Sequence, residues 1–146
     1  MISDNSSDDC DMKRQLRELY IRGNTLTRTF RRCSDDVKVQ LFSMQCSCLY
    51  GAHLWSKYAS CSFNRVRTAY NDIFRQLMNM RRGESISAAF VSKNVHSLQI
   101  LIRKAVFSFI ERCTKSCNTI VKTIVSSVFF LYGSTILTTW RKCLLL

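Results

Sequence analysis

Proline is absent from this 146-residue chain, and glycine occurs only four times. At the average frequency of about 5%, roughly seven prolines would be expected. Proline stops or kinks helices, and glycine eases sharp turns. Their scarcity excludes proline-rich or glycine-rich linkers and favours long helices joined by short turns. No internal repeat or low-complexity segment is present. Histidine occurs twice, as isolated His53 and His96, which read as packed or exposed side chains rather than ligands.

Acidic residues are scarce over most of the chain. Residues 1–36 carry seven basic and seven acidic side chains. Residues 37–146 carry fifteen basic and three acidic, which accounts for the whole net charge of +12. Such a bias points to an acidic partner, either nucleic acid or an anionic membrane surface. There is no N-terminal apolar stretch of the secretory kind. The eight cysteines are therefore expected to be reduced, several of them packed as small hydrophobes. Cys46 and Cys48 diverge on a helix, and Cys113 with Cys117 has no matching second pair, so no metal is expected.

What is present is helical periodicity in a chain that is 47% hydrophobic. Met12, Leu16, Leu19, Gly23, Leu26 and Phe30 recur at spacings of three and four and predict a helix over about 8–32. Its early aspartates and its late Arg31 and Arg32 complement the two ends of the helix dipole. Gly23 reads as a close helix contact. Ser34 is the expected N-cap of a second helix over 35–55. That helix carries Leu41, Phe42, Met44, Cys46, Cys48, Leu49 and Tyr50 most of the way round, the pattern of a central, buried helix. Phe63, Val66, Tyr70, Ile73, Leu77 and Met80 predict a third helix over 63–80, with Asn64, Arg67, Asn71, Arg75 and Asn79 on another face. Arg81, Arg82 and Gly83 are expected to end it. Ser85 or Ser87 caps a short helix through Val91. Leu98, Leu101, Ile102, Ala105, Phe109 and Ile110 form the inward side of a helix over 98–113. Residues 118–146 read as two further short helices divided near Gly133. The fold class is all-α: one domain over 1–146, a bundle of about five to seven helices.

Several of these residues also form a pattern. Val37-Lys38-x-x-Leu41-Phe42 is followed by Cys46-x-x-Leu49-Tyr50-Gly51-x-x-Leu54-Trp55. Arg67-x-Ala69-Tyr70-Asn71-x-x-Phe74-Arg75-x-Leu77 comes next, and then Phe90 to Val95, Leu101-Ile102-Arg103-Lys104 and Trp140-Arg141-Lys142. In this order and spacing they resemble the region after the palm in reverse transcriptases of non-LTR (LINE-type, jockey-like) retrotransposons. The resemblance extends to residues 2–24, similar to the end of the palm and the first connecting helix, and so covers nearly the whole chain. It implies that residues 1–7 are a remnant of the palm edge and 8–146 are connecting and thumb-like helices. It also places Met1 at an internal position of the longer enzyme. Gln45 stands where an aromatic is usual, and two usual prolines are missing, as in a diverged copy.

The resemblance implies a thumb that closes over template and primer through phosphate contacts. The candidate contacts are Arg67, Arg75, Arg81, Arg82, Arg103 and Lys104. The expected partner is the backbone of an RNA–DNA or DNA duplex, bound weakly and without sequence preference, in the cytoplasm or nucleus. No cofactor and no small-molecule substrate are expected. One rival reading is a small basic membrane protein. Residues 123–140 are uncharged and just long enough to span a bilayer. They contain three Ser and four Thr, so a span is not the expectation and a membrane is not an expected partner. Another rival is a translated remnant that folds but does nothing.

The family's polymerase holds two metal ions on paired palm aspartates, and no such motif occurs here. Asp8-Asp9 lies in a polar run and Asp35-Asp36 at a helix start, where the helix dipole explains acidic residues. The chain alone should therefore show no polymerase activity. Primer extension with Mg²⁺ or Mn²⁺ checks this: purified protein should incorporate no more nucleotide than a mock preparation.

Overall fold

The structure, a computed structural model, describes residues 7–55, 57–127 and 138. The fold is all-α. Among the described residues six α-helices follow in order: α1 Asp9–Thr29, α2 Asp35–Cys46, α3 Ser60–Leu77, α4 Ile86–Ser92, α5 Leu98–Thr114 and α6 Thr119–Ser126. A single 3₁₀ turn, Ala52–Leu54, lies between α2 and α3. The chain divides into two compact units, residues 1–50 with 57–98, and residues 51–56 with 99–146.

The first unit is built on α1 and α3. Along α1 the buried residues are Met12, Gln15, Leu19, Gly23 and Leu26, and along α3 they are Val66, Ala69, Tyr70, Ile73, Phe74 and Leu77. Two small residues, Gly23 and Ala69, sit among them. At Gly23 the helices are so close that a Cβ would lie 2.6 Å from Cγ2 of Ile73. The glycine neither kinks nor breaks α1; it lets the helices touch. The ends opposite this contact are pinned by backbone amides. Lys57 N–H donates to the Asp8 carboxylate at 2.7 Å, and Asp8 N–H donates back to the Lys57 carbonyl at 2.8 Å. Ala59 N–H donates to Asp9 at 3.1 Å. These bonds fix the segment that leads into α3 against the start of α1.

α2 adds one face to this pair. Phe42 and Cys46, four residues apart, are fully buried, while Met44 is 69% and Tyr50 78% exposed. The helix stops at Cys46, nine residues before the predicted end, and Leu49 lies beyond it, half-buried. Cys48, Leu49 and Tyr50, read as part of its apolar circumference, thus lie beyond the helix, and within it Leu41 is half-buried and Met44 exposed. Its neighbours cover one side only, and Arg22 of α1 caps the end. The Arg22 guanidinium donates to the carbonyls of Gln45 and Cys48 at 3.2 and 2.9 Å and pairs with Glu18. Ser34 occupies the N-cap position with extended backbone, but its side chain makes no capping bond.

Phe42 meets Tyr70 and Phe74 at centroid distances of 4.9 and 5.0 Å, and Phe90 of α4 meets Phe74 at 4.9 Å. Tilted and edge-on rings at this spacing add to their burial. The Tyr70 hydroxyl donates to the His96 carbonyl at 2.9 Å, and burial pushes the phenol above its ordinary range. Ser85 caps α4 by accepting from Ala88 N–H.

Asparagine replaces glycine at two helix ends. Asn79 (φ 55°) and Asn94 (φ 53°) are left-handed. Met80 N–H reaches back to the Arg75 carbonyl and Val95 N–H to that of Phe90, each five residues earlier. This closure satisfies end carbonyls and is usually made with glycine. It stops α3 at Leu77, ahead of the predicted stop at Arg81–Gly83.

Leu98, the last residue of the first unit, opens α5 and is buried; in the second unit Ile102 and Val106 are the buried residues of that helix. Of the predicted inward residues, Leu101, Ala105, Phe109 and Ile110 are half-buried. The Asn118 side chain caps α6 by accepting from the amides of Ile120 and Val121. The predicted last helix falls outside the described residues except for residue 138.

Replacing Gly23 with Val should destabilise the protein by about 1–3 kcal/mol, because overpacking against Ile73 outweighs the gain in helix propensity. Thermal unfolding followed by circular dichroism checks this. A melting temperature at or above that of the unsubstituted protein would show that the contact is looser than described.

Candidate functional site

Because α1 and α3 touch at Gly23, their C-terminal ends come together. α1 supplies Thr27 and Arg28, followed by Arg31; α3 supplies Gln76 and Leu77, followed by Asn79; α2 supplies Lys38. These seven line an open cleft of about 490 Å³. Two adjoining cavities of about 550 and 420 Å³ share Arg28 with it and add Asn24, Thr25, Thr29 and Arg32. No acidic side chain lines any of the three.

Electrostatics decides what such a cleft attracts. A helix C-terminus carries about half a negative charge, so two ends together offset roughly one cation. Lys38 is matched by Asp35, 3.7 Å away. Arg28, Arg31 and Arg32 form no ion pair among the described residues. Their three charges against about one leave a net of roughly +2 in a concave, solvent-facing place, which suits an anion. Arginine's fork of donors suits phosphate in particular, and the amide side chains of Gln76 and Asn79 are of a kind that also bonds phosphate and sugar, whereas the Thr27 hydroxyl already donates to the Gly23 carbonyl.

None of the six basic residues predicted from sequence lines these cavities. Arg67 is exposed and Arg75 half-buried on α3, and Arg81 and Arg82 are exposed in the connection to α4. In the second unit, Arg103 is half-buried and Lys104 exposed on α5. Of the arginines that do converge, the sequence reading marks only Arg31 and Arg32, as complements of the α1 dipole; both follow the helix end at Thr29, and the basic residue in the last turn is Arg28, which that reading does not include. What it missed is that α3 ends beside them; the one available signal was Asn79, a helix stop in line with the arginine pair.

The second unit has a smaller cavity of about 320 Å³ lined by His53, Phe109, Arg112, Cys113, Ser116 and Val121. His53 lies against Phe109 with centroids 4.6 Å apart, and the Arg112 guanidinium is 6.0 Å from the same ring. Burial, and then the Arg112 charge, hold the His53 pKa below its usual value. With a single cation in its lining, this cavity is less suited to phosphate than the α1–α3 cleft.

Among the described residues no three His, Cys, Asp or Glu side chains gather as a metal site requires. Both aspartate pairs contribute to the fold: Asp8 and Asp9 hold the 57–59 segment, and Asp35 bridges Lys38 and Lys93. No helix among the described residues is long and apolar enough to cross a membrane. Most of the 123–140 stretch lies outside the described residues.

Asp9 also gives a pH signature. Hydrogen bonds from Ser62, Ser7 and the Ala59 amide hold its carboxyl below the ordinary 3.8. The folded-state value is depressed, so its contribution is present above pH of about 3.8 and is lost as pH falls through the lower folded-state value. Asp9→Asn should lower the melting temperature at neutral pH and flatten the acid limb of the stability profile. Melting curves between pH 2 and 7 check this; a variant whose acid limb matches that of the unsubstituted protein would show that Asp9 carries no such linkage. Compared with known proteins, the chain matches no family model, no curated protein and no solved structure.

Proposed function

We propose that this chain is a nucleic-acid-binding helical module that grips a duplex by its phosphates, as a thumb of a non-LTR retrotransposon reverse transcriptase would, without catalysing polymerisation. One observation carries the reading: three arginines free of ion pairs among the described residues share a cleft system with no acidic lining. The basic excess after residue 36 supports it by steering any polyanion toward the chain. On this reading the module works in the cytoplasm or nucleus.

Geometry sets the size of the contact. From Asn24 to Thr29, α1 rises roughly 8 Å at about 1.5 Å per residue. One strand of a duplex advances about 3.4 Å per phosphate. The helical part of the groove therefore matches roughly two phosphates, and Arg31 and Arg32 extend it to about three. Nothing in this set reads bases, so binding is sequence-independent.

Fluorescence anisotropy with a labelled RNA–DNA hybrid across a salt series tests this. A Kd of about 10⁻⁴–10⁻⁶ M at physiological salt is expected, with a slope of log K against log salt near −3. Arg28→Ala and Arg31→Ala should each flatten the slope by about one unit, whatever the sequence bound. If the slope responds instead to Arg67→Ala or Arg75→Ala, the contact face is the outer side of α3. Binding indifferent to salt would sink the phosphate reading altogether.

A further inference from the structure

Lys38 is the one cation of the cleft that already has a partner. Its side chain is only 12% exposed, yet it lines the cavity with Arg28 and Arg31. The partner, Asp35, stands one helical turn earlier on α2, with Oδ1 3.7 Å from Nζ of Lys38. The other oxygen of the same carboxylate is 3.4 Å from Nζ of Lys93, the residue that follows α4. Asp35 is thus shared between a lysine that faces the cleft and a lysine that does not line it.

We infer that Asp35 is a built-in competitor that sets the affinity of the cleft by holding Lys38. The inference rests on the phosphate-binding reading of the cleft. A phosphate that takes up Lys38 must draw it from Asp35 and sit close to a like charge. Neither step is forbidden. A 3.7 Å pair on a half-exposed carboxylate is weak. Asp35 does not lose its counter-charge when Lys38 leaves, because Lys93 remains with it. The carboxylate therefore acts as a graded brake: it lowers affinity for every phosphate ligand and favours one that also engages Arg28 and Arg31. A ligand reaching Lys38 alone gains little, because it only exchanges one anion for another. One bridging the arginines gains their full attraction. The same carboxylate ties the start of α2 to the end of α4, so occupancy of the cleft shifts Asp35 toward Lys93 and tightens that tie.

The test uses the whole chain, the labelled RNA–DNA hybrid and inorganic pyrophosphate as a competitor of defined charge. Removing a unit charge about 4 Å from the anion is worth roughly fivefold in affinity in a water-like dielectric. Asp35→Asn should tighten hybrid binding by about that factor at low salt, with the gain shrinking as salt rises. Asp36→Asn is the control: it removes the same charge from the same helical turn, and Asp36 forms no ion pair with Lys38 among the described residues. It should yield a clearly smaller gain. In a Lys38→Gln background the gain from Asp35→Asn should disappear. Pyrophosphate should displace the hybrid at lower concentration from Asp35→Asn than from the unsubstituted protein. Asp35→Ser provides a second route should the asparagine variant fold poorly. Binding by the unsubstituted protein that Asp35→Asn and Asp35→Ser leave unchanged, or that Asp36→Asn improves equally, overturns this inference alone. No binding by any of these proteins overturns the reading of the cleft and this inference with it.

Discussion

The close contact of α1 with α3 at Gly23 and Ile73 is the constraint on which the first unit depends. A Cβ at residue 23 would come within 2.6 Å of Ile73, so either that side chain or the spacing of the two helices would have to give. Their closeness allows Leu19 and Leu26, on either side of the glycine, to bury fully. It also aligns the two helix ends, so that arginines after α1 and amides after α3 share one cleft. At the opposite end Asp8 and Asp9 accept amides from residues 57 and 59, which prevents the pair from sliding. The site is a consequence of helix packing, and no loop is dedicated to it.

The same arginines have two roles there. They complement the carbonyls at the end of α1, and they leave charge over for a ligand. The first role is worth a few tenths to about 1 kcal/mol per residue at an exposed helix end. That is small enough for the side chains to turn toward a phosphate without loosening the helix. An arginine already bonded to several acceptors lacks this freedom. Arg22 shows the contrast: it is committed to two carbonyls and Glu18 at the end of α2.

Much of the helical content was legible because its signals are local. The stripes of α1 and α3 give element type directly, and Ser85 and Ser34 mark helix starts at the right residues. What was not legible depends on neighbours. Gln15 is buried where periodicity chose Leu16, and its amide nitrogen finds no partner among the described residues. A cost of about 1–3 kcal/mol for such an orphan is not visible in a pattern of apolar spacing. The apolar run from Leu41 to Tyr50 outlasts α2, and only Phe42 and Cys46 of that helix are buried, because burial reflects what packs nearby and not the run alone. Phe74 and Val106 were left out of stripes drawn at strict spacing, although both are core residues. The cleft was missed for the same reason: charge along a chain is local, whereas convergence of two helix ends is not.

The buried cysteine one turn after Phe42 on α2 has a consequence for how this protein can be watched. Cys46 is fully buried, and burial pushes its thiol up to about 11. Only the thiolate reacts with alkylating or disulfide reagents. At neutral pH Cys46 is therefore held as the protonated thiol, and it is enclosed. The exposed thiols of Cys10, Cys48, Cys61 and Cys117 meet solvent freely. A reagent added to the native protein would therefore label those at once and reach Cys46 only when α2 lifts from α1 and α3. The delay between the two is a clock for opening of the core, built from the protein's own atoms and readable by mass without any added probe.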